Sequence, residues 1–282
     1  MSEAALQPAG LHPFDAALVL SAGSQAHTYE IPTSQSYWNM VGPFGGWLVA
    51  AGIKAIQREA SADSVPIEAH ARFYAAPKEG TLSILVSCQQ QGRSVGFWRA
   101  QISQVQNGAA RVCCEVSAII APERDSLEVR VGRIPEAAAP DTIRPVRLRE
   151  APVRWIQHYD FRYIHGLPFV GEQSEHVEQL RTRLWVREAE ERSLDWLNLA
   201  AICDVVIPRV FLLQKGPSPI ATVSLSIYFH ATRAEIAASG NAWLLLDIES
   251  HGVRRGFFDH SVTVWREDGL ALASSTQVDW FN

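Results

Sequence analysis

The 282-residue chain lacks the features that would place it in several large functional classes. Basic residues are not in excess: Lys and Arg number 25 against 30 Asp and Glu, a formal net charge of −5. A phosphate backbone is drawn to a positive field, so nucleic acid is not an expected partner. The four cysteines, Cys88, Cys113, Cys114 and Cys203, show no C-x-x-C spacing. Adjacent Cys113 and Cys114 on a strand would point to opposite faces and could not easily bridge. That pattern suits a reducing compartment, where a buried thiol serves as a small apolar side chain. The nine histidines form neither H-x-H nor H-E-x-x-H, so no metal site is expected. No glycine-rich phosphate loop, G-x-G-x-x-G or G-x-x-x-x-G-K-[ST], occurs. The longest apolar run, Trp47 to Ile53, falls far below the ~20 residues of a membrane span. The start, MSEAALQPAG, has neither the basic residue nor the apolar stretch of a secretory leader. A soluble cytoplasmic protein with no membrane partner is expected.

With 47% apolar and 20% charged residues the chain is of ordinary globular composition, and its length corresponds to about two domains. The informative feature is a repeat. In the first half, Pro43–Ala60 reads as a buried helix, apolar on most faces behind a Pro-Phe-Gly-Gly start. Strand-like stretches follow at Ile67–Pro77 and Thr81–Gly92, then a hairpin over Val95–Ile120 that turns at Asn107-Gly108. The second half repeats the order. Ser193–Leu213 reads as the helix, with Ser193 as N-cap. Strands are expected at Ala221–Ala231 and Ala242–Ser250, then a hairpin over Gly256–Phe281 turning at Asp268-Gly269. A strand candidate precedes each helix, at His27–Pro32 and at Leu180–Glu188.

One long helix followed by an antiparallel meander is the plan of a hot-dog unit, a curved sheet wrapped around a helix. One such sheet buries little surface alone, so two are expected to form one body. The expected class is therefore α+β, a double hot-dog. It comprises an N-terminal unit (1–120), a connecting segment (121–158) and a C-terminal unit (159–282). A long structureless connection is improbable in a compact body, so Tyr159–Ile164 is expected to be ordered.

Aligning the halves on helices and hairpin turns exposes an asymmetry. Asp204, Thr222 and Gln277 of the second half stand opposite Lys54, Ile67 and Val116 of the first. Asp204 is the single acid between Leu194 and Leu213 apart from Asp195 at the helix start, and burying a carboxylate without partners costs several kcal/mol. Alone, each of the three also reads as a solvated polar residue. They carry weight as a group only if they converge. Strict alternation raises a difficulty: Thr222, Ser224, Ser226 and Tyr228 would share one strand face, and Val223, Leu225, Ile227 and Phe229 the other. If Thr222 meets Asp204, either the apolar face points outward and is covered in a homo-oligomer, or a bulge switches sides mid-strand.

Several motifs taken together resemble the bacterial thioesterase II type of acyl-CoA thioesterase. They are FGGW (Phe44–Trp47), VQNG (Val105–Gly108), RLWVRE (Arg183–Glu188), ICDVVIP (Ile202–Pro208), ATVSLSIYFH (Ala221–His230) and WREDGLALASSTQ (Trp265–Gln277). The resemblance runs from about residue 27 to the end, weakens over 121–155, and implies a double hot-dog without cofactor that acts on acyl-CoA. It also implies that Asp204, Thr222 and Gln277 hold the attacking water, Asp204 as base. Trp47 departs from the Gln often found after the Gly-Gly pair, which bears on substrate fit. A tetrahedral oxyanion needs donors, and the helix start at Gly45 and Gly46 allows close backbone approach. Arg254 and Arg255 are candidates for the charged end of coenzyme A, and Trp38, Trp47, Trp196 and Tyr228 for an acyl tunnel.

Two other readings share the architecture. Hot-dog enoyl-CoA hydratases pair an Asp with a His about five residues on; here Arg209 follows Asp204 at that spacing, and neither helix holds a His. A non-catalytic acyl-CoA binding or scaffold protein would tolerate loss of all three polar residues. Cys203 beside Asp204 has no paired His and reads as core.

Overall fold

The computed structural model describes residues 10–147, 153–168, 180–213 and 218–282. The leader expectation for residues 1–9 and part of the connecting segment (148–152) lie outside the described residues. The N-terminal half contains a short helix α1 (Pro13–Ala17), strands β1 (Ser21–Ala22) and β2 (Thr28–Pro32), helix α2 (Gly45–Glu59), and strands β3 (Ser64–Phe73), β4 (Thr81–Gln91), β5 (Gly96–Gln106) and β6 (Ala109–Pro122). The C-terminal half contains β7 (Tyr159–His165), β8 (Thr182–Glu188), helix α3 (Trp196–Ile202), β9 (Ile220–Phe229), helix α4 (Arg233–Ser239), β10 (Leu244–Glu249), β11 (Val253–Arg254), β12 (Phe257–Arg266) and β13 (Ala271–Phe281).

The repeat is visible in the pairing order. Neighbouring strands run β2-β4-β5-β6-β3 in the first half and β9-β13-β12-β10-β8 in the second. Element for element, β2 corresponds to β8, β3 to β9, β4 to β10, β5 to β12 and β6 to β13. The halves fuse where β3 pairs with β9 antiparallel, Ala69 opposite Ile227 and Ala71 opposite Leu225 around a centre at His70 and Ser226. One continuous antiparallel sheet results, with β1 and β7 at its ends. This is a hot-dog fold doubled within one chain.

The hairpin signals hold physically. Asn107 and Gly108 both adopt positive φ, +53° and +78°, which a two-residue turn demands and which Asn and Gly tolerate best. Helix α2 is buried nearly all round, from Trp47 and Leu48 to Ile53 and Ile56. Each such side chain contributes about 1.5–3 kcal/mol of apolar burial. Gly52 lets the helix lie on β6: a Cβ there would sit 2.7 Å from Val116 Cγ2.

Three sequence expectations change. Helix α3 is shorter than Ser193–Leu213 and is capped by Asp195, whose side chain accepts from the Asn198 N–H at 2.7 Å. It ends at Ile202 because three β-branched residues and Pro208 follow, and the residue before a proline avoids the helical region. The chain resumes as a single turn of 3-10 helix, Arg209–Leu212. Second, α4 is an additional helix between β9 and β10, started by a reciprocal capping box of Thr232 and Glu235. Third, the two halves register differently from the hairpin-based alignment. Ladder pairs place Pro66, not Ile67, opposite Thr222, and Ala118, not Val116, opposite Gln277. Each hairpin carries one bulge, so the shift comes from length: Ala118 lies ten residues past Gly108, and Gln277 only eight past Gly269.

The face conflict on β9 is resolved by a bulge. Thr222 pairs with Asp279 and Ser224 with Val278, so Val223 is the extra residue. Thr222 therefore shares the inner face with buried Leu225, Ile227 and Phe229, while Val223 and Tyr228 face outward, 38% and 47% exposed. Strand β3 carries the same device, with Ile67 as the extra residue between Pro66 and Glu68. No oligomer is needed to cover an apolar face that already points inward. Tyr228, on the outer face, does not line the space between helix and sheet.

Alanine in place of Gly at an unobstructed helix position stabilises by about 1 kcal/mol. Gly52→Ala is expected to do the opposite, lowering stability by about 1–3 kcal/mol through overpacking against Val116. The midpoint of urea unfolding reads the sign directly.

Candidate active site

Helices α2 and α3 lie side by side in the concavity of the sheet. The N-terminus of α2 meets the end of α3 so closely that a Cβ on Gly46 would fall 2.8 Å from the Ala201 carbonyl oxygen. Asp204 sits at this junction. It is in the turn after α3 rather than on the helix: its N–H bonds the Ala201 carbonyl at 3.0 Å, tightening the last turn. The side chain is buried, 7% exposed.

Two donors hold the carboxylate, one from each half of the chain. The Gly46 N–H donates to Asp204 Oδ2 at 2.7 Å, and the Gln277 amide donates to Oδ1 at 3.0 Å. The α2 N-terminus also carries partial positive charge that favours an anion. Gly45 leaves space beside the acid: a Cβ there would stand 2.7 Å from Asp204 Oδ2. The Gly46 N–H, offered in the sequence reading to an oxyanion, is engaged by Asp204.

Thr222 and Gln277 converge on the same point. Strand β13 turns Ser275, Gln277 and Asp279 inward by alternation, and the β9 bulge turns Thr222 to meet them. The Gln277 amide donates to Thr222 Oγ1 at 2.8 Å, and the Thr222 hydroxyl donates to Asp279 Oδ1 at 2.8 Å. Asp204, Thr222 and Gln277 thus form one connected group. Their first-half counterparts on the ladders, Pro66 and Ala118, have no such chemistry.

Behind the group lie three buried polar residues to which the sequence reading gave no role. His260, on β12 opposite Gln277, approaches Gln277 Oε1 with Nε2 at 2.9 Å. Asp279 Oδ2 faces His260 Nδ1 at 3.5 Å. Arg209, 1% exposed, donates to Thr182 Oγ1 and to the Ile207 carbonyl, each at 2.6 Å. A signal for His260 was present: Phe258, Val262 and Val264 at even spacing mark the inner face, and His260 falls on it. Asp279 shares parity with Gln277 in the same way.

Burial governs the electrostatics. It pushes the Asp204 carboxyl up to about 7, with the neighbouring Asp279 charge adding to the rise and the Gln277 and Gly46 hydrogen bonds opposing it. Asp279 is pushed up to about 7 by burial, opposed by its bonds to Thr222 and Gln277 and by Arg209. Desolvation and Arg209 push His260 down to about 3, so its ring is neutral at physiological pH. Cys203, fully buried, is pushed up to about 12 by desolvation and is no nucleophile. Among the described residues no group of three His, Cys, Asp or Glu side chains is placed to hold a metal ion. Nor is any described helix long and apolar enough to cross a membrane.

Comparison with known proteins bears on the family and the fold. Two family models match, an acyl-CoA thioesterase N-terminal domain over residues 34–121 and an acyl-CoA thioesterase C-terminal domain over residues 135–280. No curated protein matches significantly. Among solved structures, a hot-dog protein of unknown function from Alicyclobacillus acidocaldarius is 30% identical with a TM-score of 0.86, covering 96% of this chain and 98% of its own. An acyl-CoA thioesterase II of Mycobacterium marinum is 17% identical with a TM-score of 0.73, over 95% of this chain and 98% of its own. A tesB protein of Mycobacterium avium subsp. paratuberculosis is 18% identical with a TM-score of 0.73, over 95% and 98%.

The raised acids make stability depend on pH with a definite sign. A carboxyl whose folded pKa exceeds its unfolded value binds more protons when folded. Its contribution is full below about pH 4 and is lost as pH rises through about 7. Asp279→Asn, which cannot ionise, is therefore expected to raise Tm at pH 8 by a few degrees and to change it little at pH 4. Calorimetry at the two pH values measures the difference.

Proposed function

We propose that this chain, which belongs to the acyl-CoA thioesterase family, hydrolyses its thioester by direct attack of a water held by Asp204, Thr222 and Gln277. The observation that carries the reading is the convergence of these three side chains on the α2 N-terminus, joined by bonds of 2.7–3.0 Å. A thioester carbonyl is electrophilic enough for water to attack once its proton has an acceptor. Asp204, with a pKa near 7, is suited to be that general base at neutral pH.

The hydrogen-bond directions assign the remaining roles. The Gln277 amide has two hydrogens, and its nearest acceptors are Thr222 Oγ1 and Asp204 Oδ1. The Thr222 hydroxyl gives its one hydrogen to Asp279, which leaves it a lone pair for the water. Water donating to both Thr222 and Asp204 would have its own lone pair turned toward the carbonyl carbon, an orientation effect. Gln277 then acts by holding both acceptors rather than by binding the water. The oxyanion forms beside the α2 N-terminus, whose dipole favours negative charge, and Gly45 keeps a side chain away from Asp204 there.

The substrate is an acyl-CoA, fatty or related, and coenzyme A enters as part of it rather than as a cofactor. Arg254 and Arg255 are the candidates for its charged end; Arg255 is held at φ +58° in the β11–β12 turn. Assembly into a homo-oligomer and cytoplasmic residence remain part of the proposal. The hydratase reading is disfavoured by the placement of His260, which lies behind Gln277 with Nε2 2.9 Å from its Oε1 rather than flanking the water.

Free-thiol release from a panel of acyl-CoA esters tests the assignment. Asp204→Asn is expected to lower kcat by about 10²–10⁴-fold while acyl-CoA binding survives. For the wild type, kcat should rise with pH along an acid limb centred near 7, where the base ionises. Equal rates for wild type and Asp204→Asn would remove Asp204 from the mechanism.

A further inference from the structure

The site holds more polar machinery than a three-residue water clamp needs. Asp279 Oδ2 and His260 Nδ1 face each other across 3.5 Å, both are buried, and neither atom has another hydrogen-bond partner. The residues are 3% and 2% exposed. Gln277 fixes the tautomer. Its amide nitrogen must point at the Asp204 carboxylate, which can only accept, so its oxygen points at His260. An oxygen acceptor 2.9 Å from Nε2 requires that Nε2 carry the hydrogen. In a neutral imidazole Nδ1 is then a bare lone pair. An ionised Asp279 opposite it would set two acceptors face to face in a low-dielectric interior, so a proton must lie between them.

We infer that Asp279 and His260 are positioning residues that form the upstream end of a one-way hydrogen-bond chain. Its links are Asp279 Oδ2–H to His260 Nδ1, His260 Nε2–H to Gln277 Oε1, and Gln277 Nε2–H to Asp204 Oδ1. The inference rests on the proposed role of Asp204 as base. Its consequence is a division of labour between two carboxyls that share one set of partners: Asp279 keeps the proton, and Asp204 carries the negative charge. With His260 neutral and donating from Nε2, Gln277 cannot rotate its amide without opposing donor to donor at one end and oxygen to carboxylate at the other. The preorganised element is thus the Gln277 flip, and the chain holds it.

The charged and titratable groups around the pair come from every packed element. Asp204 follows α3, and Arg209 lies in the 3-10 turn beyond it. Tyr159 and Tyr163 stand on β7, and Asp259 on β12. Helix α2 contributes the Gly46 N–H. Arg209 is the one of these that disfavours a cationic imidazole, which keeps the shared proton on Asp279.

Asp279→Asn is the discriminating variant, because an Asn amide still donates toward Nδ1 and its oxygen still accepts from Thr222. We expect kcat within about threefold of wild type and an unchanged KM. Its acid limb is expected to stay within about 0.3 unit of wild type, because an Asp279 that keeps its proton places no like charge beside Asp204. His260→Leu, which frees the Gln277 flip, is expected to lower kcat about 10–100-fold with little change in KM, and His260→Gln, which can still donate to Gln277, to recover much of it. An acid limb moved half a unit or more lower in Asp279→Asn, the sign of an ionised Asp279 in the wild type, or a His260→Leu enzyme with wild-type kcat, would overturn the inference while leaving Asp204 as base. Imidazole ¹⁵N shifts give a readout that needs no turnover, and so survives failure of the proposed activity. The Nε2–H tautomer of His260 should persist from pH 5.5 to 8, and an Nδ1–H tautomer or a cationic ring in that range would refute the chain.

Discussion

A carboxylate withdrawn from water must find donors, and Asp204 takes one from each half of the chain. The Gly46 N–H comes from the helix of the first unit and the Gln277 amide from the last strand of the second. Much of the architecture serves this meeting. The α2 N-terminus has to abut the end of α3, which is why a side chain at Gly46 would strike the Ala201 carbonyl. Helix α3 has to stop early so that Asp204 leaves it in a turn, and Pro208 enforces the stop. Finally, β3 and β9 must pair, because that ladder fixes the two helices relative to each other.

The fold was largely legible because its signals are local and repeated. Helix α2 declares itself by a continuous apolar run behind two glycines, and the Asn107-Gly108 turn by the φ values those residues accept. Seeing the same order twice made the doubling legible as well. Registers were less so. A bulge leaves little local trace, and Val223 reads as an ordinary member of an alternating strand, so the parity count put Thr222 on the wrong side of Leu225. The alignment of the halves slipped for another reason, the greater length of the first hairpin. Of the polar group, Asp204, Thr222 and Gln277 came from resemblance and from the contrast between halves. Asp279 and His260 could have been found by following even spacing along β13 and β12, but burial of a charged residue is a tertiary fact. Only the packing of three elements around that corner shows that the neighbours of these residues are one another.

The two units diverge at equivalent positions in a consistent direction. Where the second has Thr222, His260, Gln277 and Asp279, the ladders of the first place Pro66, Trp98, Ala118 and Ile120. A half-equipped polar cluster is worse than none, because each unpartnered group keeps its desolvation cost. The first unit carries apolar or aromatic residues at all four positions. It retains the one thing the other half needs from it, a glycine N–H at a helix start.

The β3–β9 ladder has a consequence for the chain as a linear object. Cutting it between the units would leave each half with a bare inward strand, and unpaired strand edges recruit other strands. The near-symmetric register around His70 and Ser226 means that the natural recruit for either edge is another copy of itself. A self-paired C-terminal half would contain two copies of Asp204 and none of Gly46. The covalent link therefore does more than keep the halves together: it forbids the symmetric assembly in which the acid would lose its backbone donor.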